Sequence, residues 1–191
     1  MSIKSETRPA TRWTRRGFMA SATALSACST ASISSSRGEI DTRVDQALIE
    51  LYQTIPGAQE LANLAVGMLI MPRVNEAGFV GGAAYGEGAL LIGNAKVDYY
   101  SVAGASIGFQ IGAQRYKHAL LFMTNEALAG FRAADGWEVG IDAEYAVLDK
   151  SAAVTVTTGT YDKPVYALIY GQEGIIFGAT VEGNKYSRIV R

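Results

Sequence analysis

Few residues in this chain could do covalent or proton-transfer chemistry, and their spacing suits it poorly. There is one cysteine, Cys28, and one histidine, His118. A lone thiol forms no internal disulfide, and a single Cys with a single His falls short of a conventional zinc site. A serine–histidine–acid triad would have to use His118, which sits beside Lys117 ahead of an apolar run and reads as an ordinary surface histidine in a turn. Asp142 and Glu144 alternate onto one strand face, where two carboxylates could share acid and base roles. Acids alternating on the wet side of a sheet give the same pattern. The glycines from Gly78 to Gly88 invite a phosphate-loop reading, but no lysine follows them and no strand–helix–strand unit surrounds them. They read better as points where backbones pass closely. Tyr85, Tyr99, Tyr100 and Tyr116 could line a groove or serve as cross-strand pairs. The expectation is a protein that is not an enzyme and uses no metal and no cofactor.

Cations are the other chemistry-bearing group. Residues 1–27 carry five Lys or Arg against Glu6 alone, whereas the remainder carries 12 against 17 acids. That acidic remainder argues against a nucleic-acid partner, which usually needs a basic surface. Contact with an anionic lipid surface would need a local patch. By charge alone the candidates for headgroup contact are Arg73, Arg115, Lys117, Lys185 and Arg188. The plain alternative for each is a solvated surface cation.

The segment before residue 28 has the build of an export signal. Thr14-Arg15-Arg16-Gly17-Phe18-Met19 resembles the twin-arginine motif, with Arg15 and Arg16 as the paired cations. A short, weakly apolar stretch follows to Ala27, too short to span a bilayer. Leu25-Ser26-Ala27-Cys28 resembles the lipobox of bacterial lipoproteins, in which cleavage precedes the cysteine and acyl chains attach to it. Several chains anchor durably, since each buried methylene is worth roughly 0.8 kcal/mol. Two alternatives stay open: a basic leader with an ordinary cysteine, and cleavage after Ala22-Thr23-Ala24 to release a soluble periplasmic protein. Ser29 resembles the residue type that lets lipoproteins reach an outer membrane. The domain plan is a signal peptide over 1–27, a Ser/Ala/Thr-rich tether over 28–38 and one folded domain over 39–191.

The elements that must position these residues follow from periodicity. Val44, Ala47, Leu48, Leu51, Tyr52 and Ile55 fall on one helical stripe, which predicts a helix from Asp41, its N-cap, to Ile55, stopped by Pro56-Gly57. A second helix is expected from Ala58 to about Val66. Gly67–Met71 reads as a buried strand ending at Pro72. Short strands with glycine punctuation follow: Ala89–Ile92, Ser106–Gly112, Ala119–Met123, a long alternating Trp137–Leu148, Ala153–Thr158 and Val165–Tyr170. Gly171–Gly174 is expected to turn a hairpin into Ile175–Val181, and Asn125–Phe131 to form a short helix. No helix of crossover length separates the strands, so the expected class is α+β. Its sheet would be antiparallel, strongly curved and barrel-like, with N-terminal helices packed against it.

From about Pro56 to Ile189 the chain resembles the SYLF family. The residues that carry the resemblance are Ala77–Gly82, Tyr85–Gly88, Ala105–Gln114, Leu121–Thr124, Tyr170–Ala179 and Glu182–Tyr186. The resemblance implies phospholipid binding, aided in eukaryotic members by an amphipathic N-terminal helix and basic residues. The Asp41–Ile55 helix departs from that pattern, with Asp41, Asp45 and Glu50 against Arg43 on its polar face. Two functions follow as expectations. One is a non-enzymatic phospholipid-binding lipoprotein on the periplasmic side of the envelope, with membrane phospholipids as its partners. The other is an assembly lipoprotein that binds another envelope protein and uses lipid only as its anchor. An apolar concavity in the curved sheet is a further place for an acyl chain.

Overall fold

The computed structural model describes residues 35–78, 81–107, 112–148, 162–174 and 181–191. Two helices lead. Helix α1 (Arg37–Thr54) starts four residues before Asp41 and takes in the end of the expected tether. Its cap is Ser36, whose hydroxyl accepts the Glu39 N–H while the Glu39 carboxylate accepts the Ser36 N–H at 2.9 Å. This reciprocal pair satisfies two N–H groups that a helix start leaves open. Asp41 lies one turn inside, where its carboxylate accepts the Tyr99 hydroxyl at 2.7 Å. Gly57, with φ of 76°, turns the chain into α2 (Ala58–Leu64). Among the described residues no helix is long and apolar enough to cross a membrane.

Eight strands follow: β1 (Gly67–Gly78), β2 (Gly81–Ile92), β3 (Ala95–Ile107), β4 (Gly112–Phe122), β5 (Trp137–Glu138), β6 (Tyr145–Leu148), β7 (Val165–Gly174) and β8 (Asn184–Ile189). Helix α3 (Asn125–Ala133) lies between β4 and β5. The strands form one half-barrel sheet in the order β5-β8-β3-β2-β1-β4-β7-β6. The α+β class and the curved sheet agree with the sequence reading. The expectation of a wholly antiparallel sheet needs one correction, because β6 runs parallel to β7.

Both faces of the sheet are covered. On one, Ile40, Val44, Ala47, Leu51 and Ile55 of α1 pack on Met68, Ile70, Ala89, Leu121, Leu168 and Tyr170. On the concave side, Phe131 of α3 sits among Tyr100, Phe122, Trp137 and Tyr186, with ring centroids 4.5–6.3 Å apart. Alternation along each strand divides the residues between these cores.

A bulge in β1 decides which side chains reach the helix-side face. Ile70 pairs with Ala89 and Val74 with Gly86, so β1 holds one residue more than β2 across this stretch. The same extra residue appears against β4. Pro72 sits inside the bulge, where a missing N–H is tolerated. Proline was expected to end the strand, and instead the strand continues through it to Gly78. The extra residue reverses the alternation, turning Val74 into the concave core and leaving Arg73 and Asn75 on the helix-side face. Strand β2 must pass close to the bulge. A Cβ on Gly88 would lie 2.0 Å from the Ile70 carbonyl oxygen, and one on Gly86 2.5 Å from that of Arg73. The glycines of Tyr85–Gly88 are thus backbone-contact residues, as their sequence context suggested.

Two other strand expectations are corrected. Trp137–Leu148 is not one strand. Gly140, with φ of 85°, and the Asp142 carboxylate, which accepts the Glu138 N–H at 2.6 Å, turn the chain after β5. β5 and β6 then lie at opposite edges of the sheet, and Ile141 is exposed. Gly171–Gly174 is no hairpin turn either. It belongs to β7, whose irregular pairing with β4 absorbs Gly171 at φ 59°. The expected strands Ala153–Thr158 and Ile175–Val181 lie outside the described residues, apart from Val181.

Candidate functional site

The helix-side face gathers cations that the sequence spreads over three elements. Asn75 of β1 pairs with Arg115 of β4 on one side and with Tyr85 of β2 on the other, so their side chains form one row. The Asn75 Oδ1 accepts from Arg73 Nε at 3.3 Å and from Arg115 Nε at 3.2 Å. Arg43 of α1 stands beside them and donates from Nη1 to the Ser35 hydroxyl at 3.1 Å. Partial burial, then repulsion from Arg115 and Arg43, pulls the Arg73 guanidinium below its ordinary pKa. Arginine keeps its charge regardless, so the cluster holds three like charges. Its acidic neighbours are Glu173, 3.7 Å from Arg115 with both side chains exposed, and Glu39, which faces Arg43.

The five cations named from sequence therefore part company. Arg73 and Arg115 come together. Lys117 points to α1 and pairs with Glu50 at 2.6 Å. Arg188 lies on the concave side, where it and Arg132 of α3 both bind the buried Asp98 carboxylate. Lys185 is exposed on β8, its stem crossing Gly136. Arg43 joins the cluster although charge on its own helix gave no signal for it. Arg15, Arg16 and Cys28 lie outside the described residues.

Beside the cluster, Glu87 holds the start of the folded chain. Its carboxylate accepts the Ser35 N–H at 2.8 Å and the Tyr85 hydroxyl at 2.9 Å, and it pairs with Arg191. Burial alone would raise its pKa, but these hydrogen bonds and the arginine's charge bring it below the ordinary carboxylate value. Farther along, α1 is held to other strands. Tyr170 donates to the Ala47 carbonyl at 2.9 Å, and Lys96 pairs with Asp45 at 2.6 Å. The stripe foreseen on this helix is thus committed to the sheet.

On the concave side a recess of about 30 Å³, lined by Glu76, Ala84, Gly104, Tyr116, Glu182 and Asn184, has the capacity of a water or two rather than an acyl chain. Deeper in, His118 is fully buried, contrary to the surface position expected of it. It shares a face with Tyr116 and Leu120 and meets the Tyr186 hydroxyl at 2.8 Å. Burial pushes its pKa down to about 3, so the ring is neutral at physiological pH. Asp142 and Glu144 have separate partners: the first caps the Glu138 N–H and the second pairs with Lys163 at 3.0 Å. The four tyrosines divide between opposite faces, Tyr85 and Tyr99 with α1 and Tyr100 and Tyr116 within the concave core, so they line no common groove.

Residues 103–189, running from within β3 through β8, match the family described as Ysc84, Las17-binding protein actin regulator. The match covers a little under half of the chain and agrees with the resemblance to the SYLF family. No curated protein matches the chain. The SYLF segment supplies Arg115, Lys117, Lys185 and Arg188, whereas Arg43 and Arg73 come from the elements that precede it.

Proposed function

We propose that this chain is an exported lipoprotein, anchored through Cys28 on the periplasmic side of an envelope membrane, the outer one by the residue after the cysteine. Its SYLF domain binds phospholipid without catalysing a reaction. The observation that carries the reading is the convergence of Arg73 and Arg115 on one Asn75 oxygen with Arg43 alongside. In each of the two, Nε is engaged by Asn75; Arg115 Nη1 also lies 3.7 Å from Glu173, an exposed pair weak enough for an anion to displace. Two guanidinium forks side by side suit the oxygens of a phosphodiester headgroup. Near an anionic surface each cation contributes roughly 1 kcal/mol, so three contribute roughly 3 kcal/mol. That is too little for tight binding alone and useful beside an acyl anchor.

The test uses the full chain with Cys28→Ala, which cannot be acylated, in flotation with phosphatidylglycerol vesicles and with phosphatidylcholine vesicles. Preferential binding to the first that weakens with salt and falls when Arg73→Gln and Arg115→Gln are added supports the reading. Absence of binding to either at low salt removes it. The second reading, docking to an envelope protein, draws on the family description, which names a protein that its members bind. Retention on membranes through the acyl group alone would favour it.

A further inference from the structure

The point where the folded domain begins is fixed beside the arginine cluster. The Ser35 N–H is held by Glu87 at 2.8 Å and its hydroxyl by Arg43 at 3.1 Å. Glu87 follows Gly86, which pairs with Val74 across β1, so Ser35 is tied at the level of Arg73. Asn75 and Arg115 continue the same row on the same face. The opposite end of these strands is far away. Gly67, paired with Phe122, lies eight residues along β1 from Asn75, roughly 26 Å at the usual strand rise. α3 begins just beyond that distant end, at Asn125.

Only six residues separate Cys28 from Ser35, a span of seven peptide steps. However they are arranged, they reach no farther than roughly 25 Å. We infer that the edge formed by Ser35, Arg43, Arg73 and Arg115 is the membrane-facing edge of the anchored protein, with the Gly67/Phe122 end and α3 turned away from the bilayer. This rests on the reading of Cys28 as acylated and of the arginines as headgroup contacts, and it adds an orientation that neither one fixes alone. Anchor and cations act as two linked contacts with one surface. Once the acyl group is inserted, the short link keeps the arginines at high effective concentration near the headgroups. Their attraction is felt only within a Debye length, about 8 Å at physiological salt, so an anchor rooted at the far end would leave them out of range.

The test is NMR of the full-length acylated protein on nanodiscs of phosphatidylglycerol and phosphatidylcholine that carry some lipids with a gadolinium-chelate headgroup. The expected result is loss of the amide signals of Ser35, Arg43, Asn75 and Arg115, while those of Gly67, Phe122 and Asn125 stay sharp. Arg73→Gln with Arg115→Gln should restore the Asn75 signal while the protein stays anchored. Loss at Gly67 and Asn125 instead, or equal broadening at both ends, overturns the orientation. In either of those cases, arginine-dependent binding of the Cys28→Ala chain to phosphatidylglycerol vesicles would leave the lipid-binding reading standing, and its absence would remove both.

Discussion

Acid should destabilise this protein through one residue well before its carboxylates matter. The unfolded chain protonates His118 at the ordinary imidazole value of about 6.5. In the folded protein the ring is fully buried and refuses the proton until about pH 3. The unfolded state therefore binds more protons throughout that window, and stability falls as pH drops. The slope approaches 1.4 kcal/mol per pH unit, which integrates to about 2 kcal/mol between pH 7 and pH 5. Glu87 titrates in a separate window. Its folded pKa is depressed, so its contribution is complete above the unfolded carboxylate value and is lost only as pH falls below it toward the folded one. Urea denaturation of the full chain at pH 7 and pH 5 should show the loss, and His118→Gln should flatten it whatever that variant costs at pH 7. Because the chain has one histidine, its ring signals in NMR are assigned without ambiguity and should not titrate down to pH 5. A ring that titrates near pH 6.5 in the folded protein would refute the burial argument.

Other perturbations test the scaffold and the site. Gly88→Ala forces a Cβ onto the Ile70 carbonyl and should destabilise the protein by about 2 kcal/mol or more in chemical denaturation, since a packed backbone cannot give way cheaply. Ser36→Ala removes the reciprocal cap of α1 and should lower stability by roughly 1 kcal/mol, with hydrogen exchange quickened first at the start of that helix. Glu173→Gln removes the carboxylate beside Arg115 and should strengthen binding to phosphatidylglycerol vesicles without altering thermal stability.

What could be read from the sequence was what depends on local periodicity. The stripe from Val44 to Ile55 is unbroken, and the helix packs along it. Its start was set too late because Ser36 and Glu39 lie in a stretch whose composition resembles a linker, although their spacing is that of a reciprocal cap. Alternation misled where a turn happened to preserve it, as at Gly140 between β5 and β6, since side-chain parity carries no information on chain direction. His118 was misplaced by its neighbour Lys117. Read with Arg115, Lys117 marks the wet face, and the same alternation puts Tyr116 and His118 inside. The candidate site was legible only in part. Arg73 reaches its position through a bulge, and Arg43 through the packing of a distant helix. Neither is encoded in the spacing of charges along the chain.

The headgroup site proposed for Arg73 and Arg115 is tested most directly by co-sedimentation of the Cys28→Ala full chain with phosphatidylglycerol vesicles across a salt series, beside the same chain carrying Arg73→Gln and Arg115→Gln. The double variant should bind roughly 30-fold more weakly at low salt, at about 1 kcal/mol per cation, and its binding should respond less steeply to salt. Equal binding by the two chains at every salt concentration would contradict it.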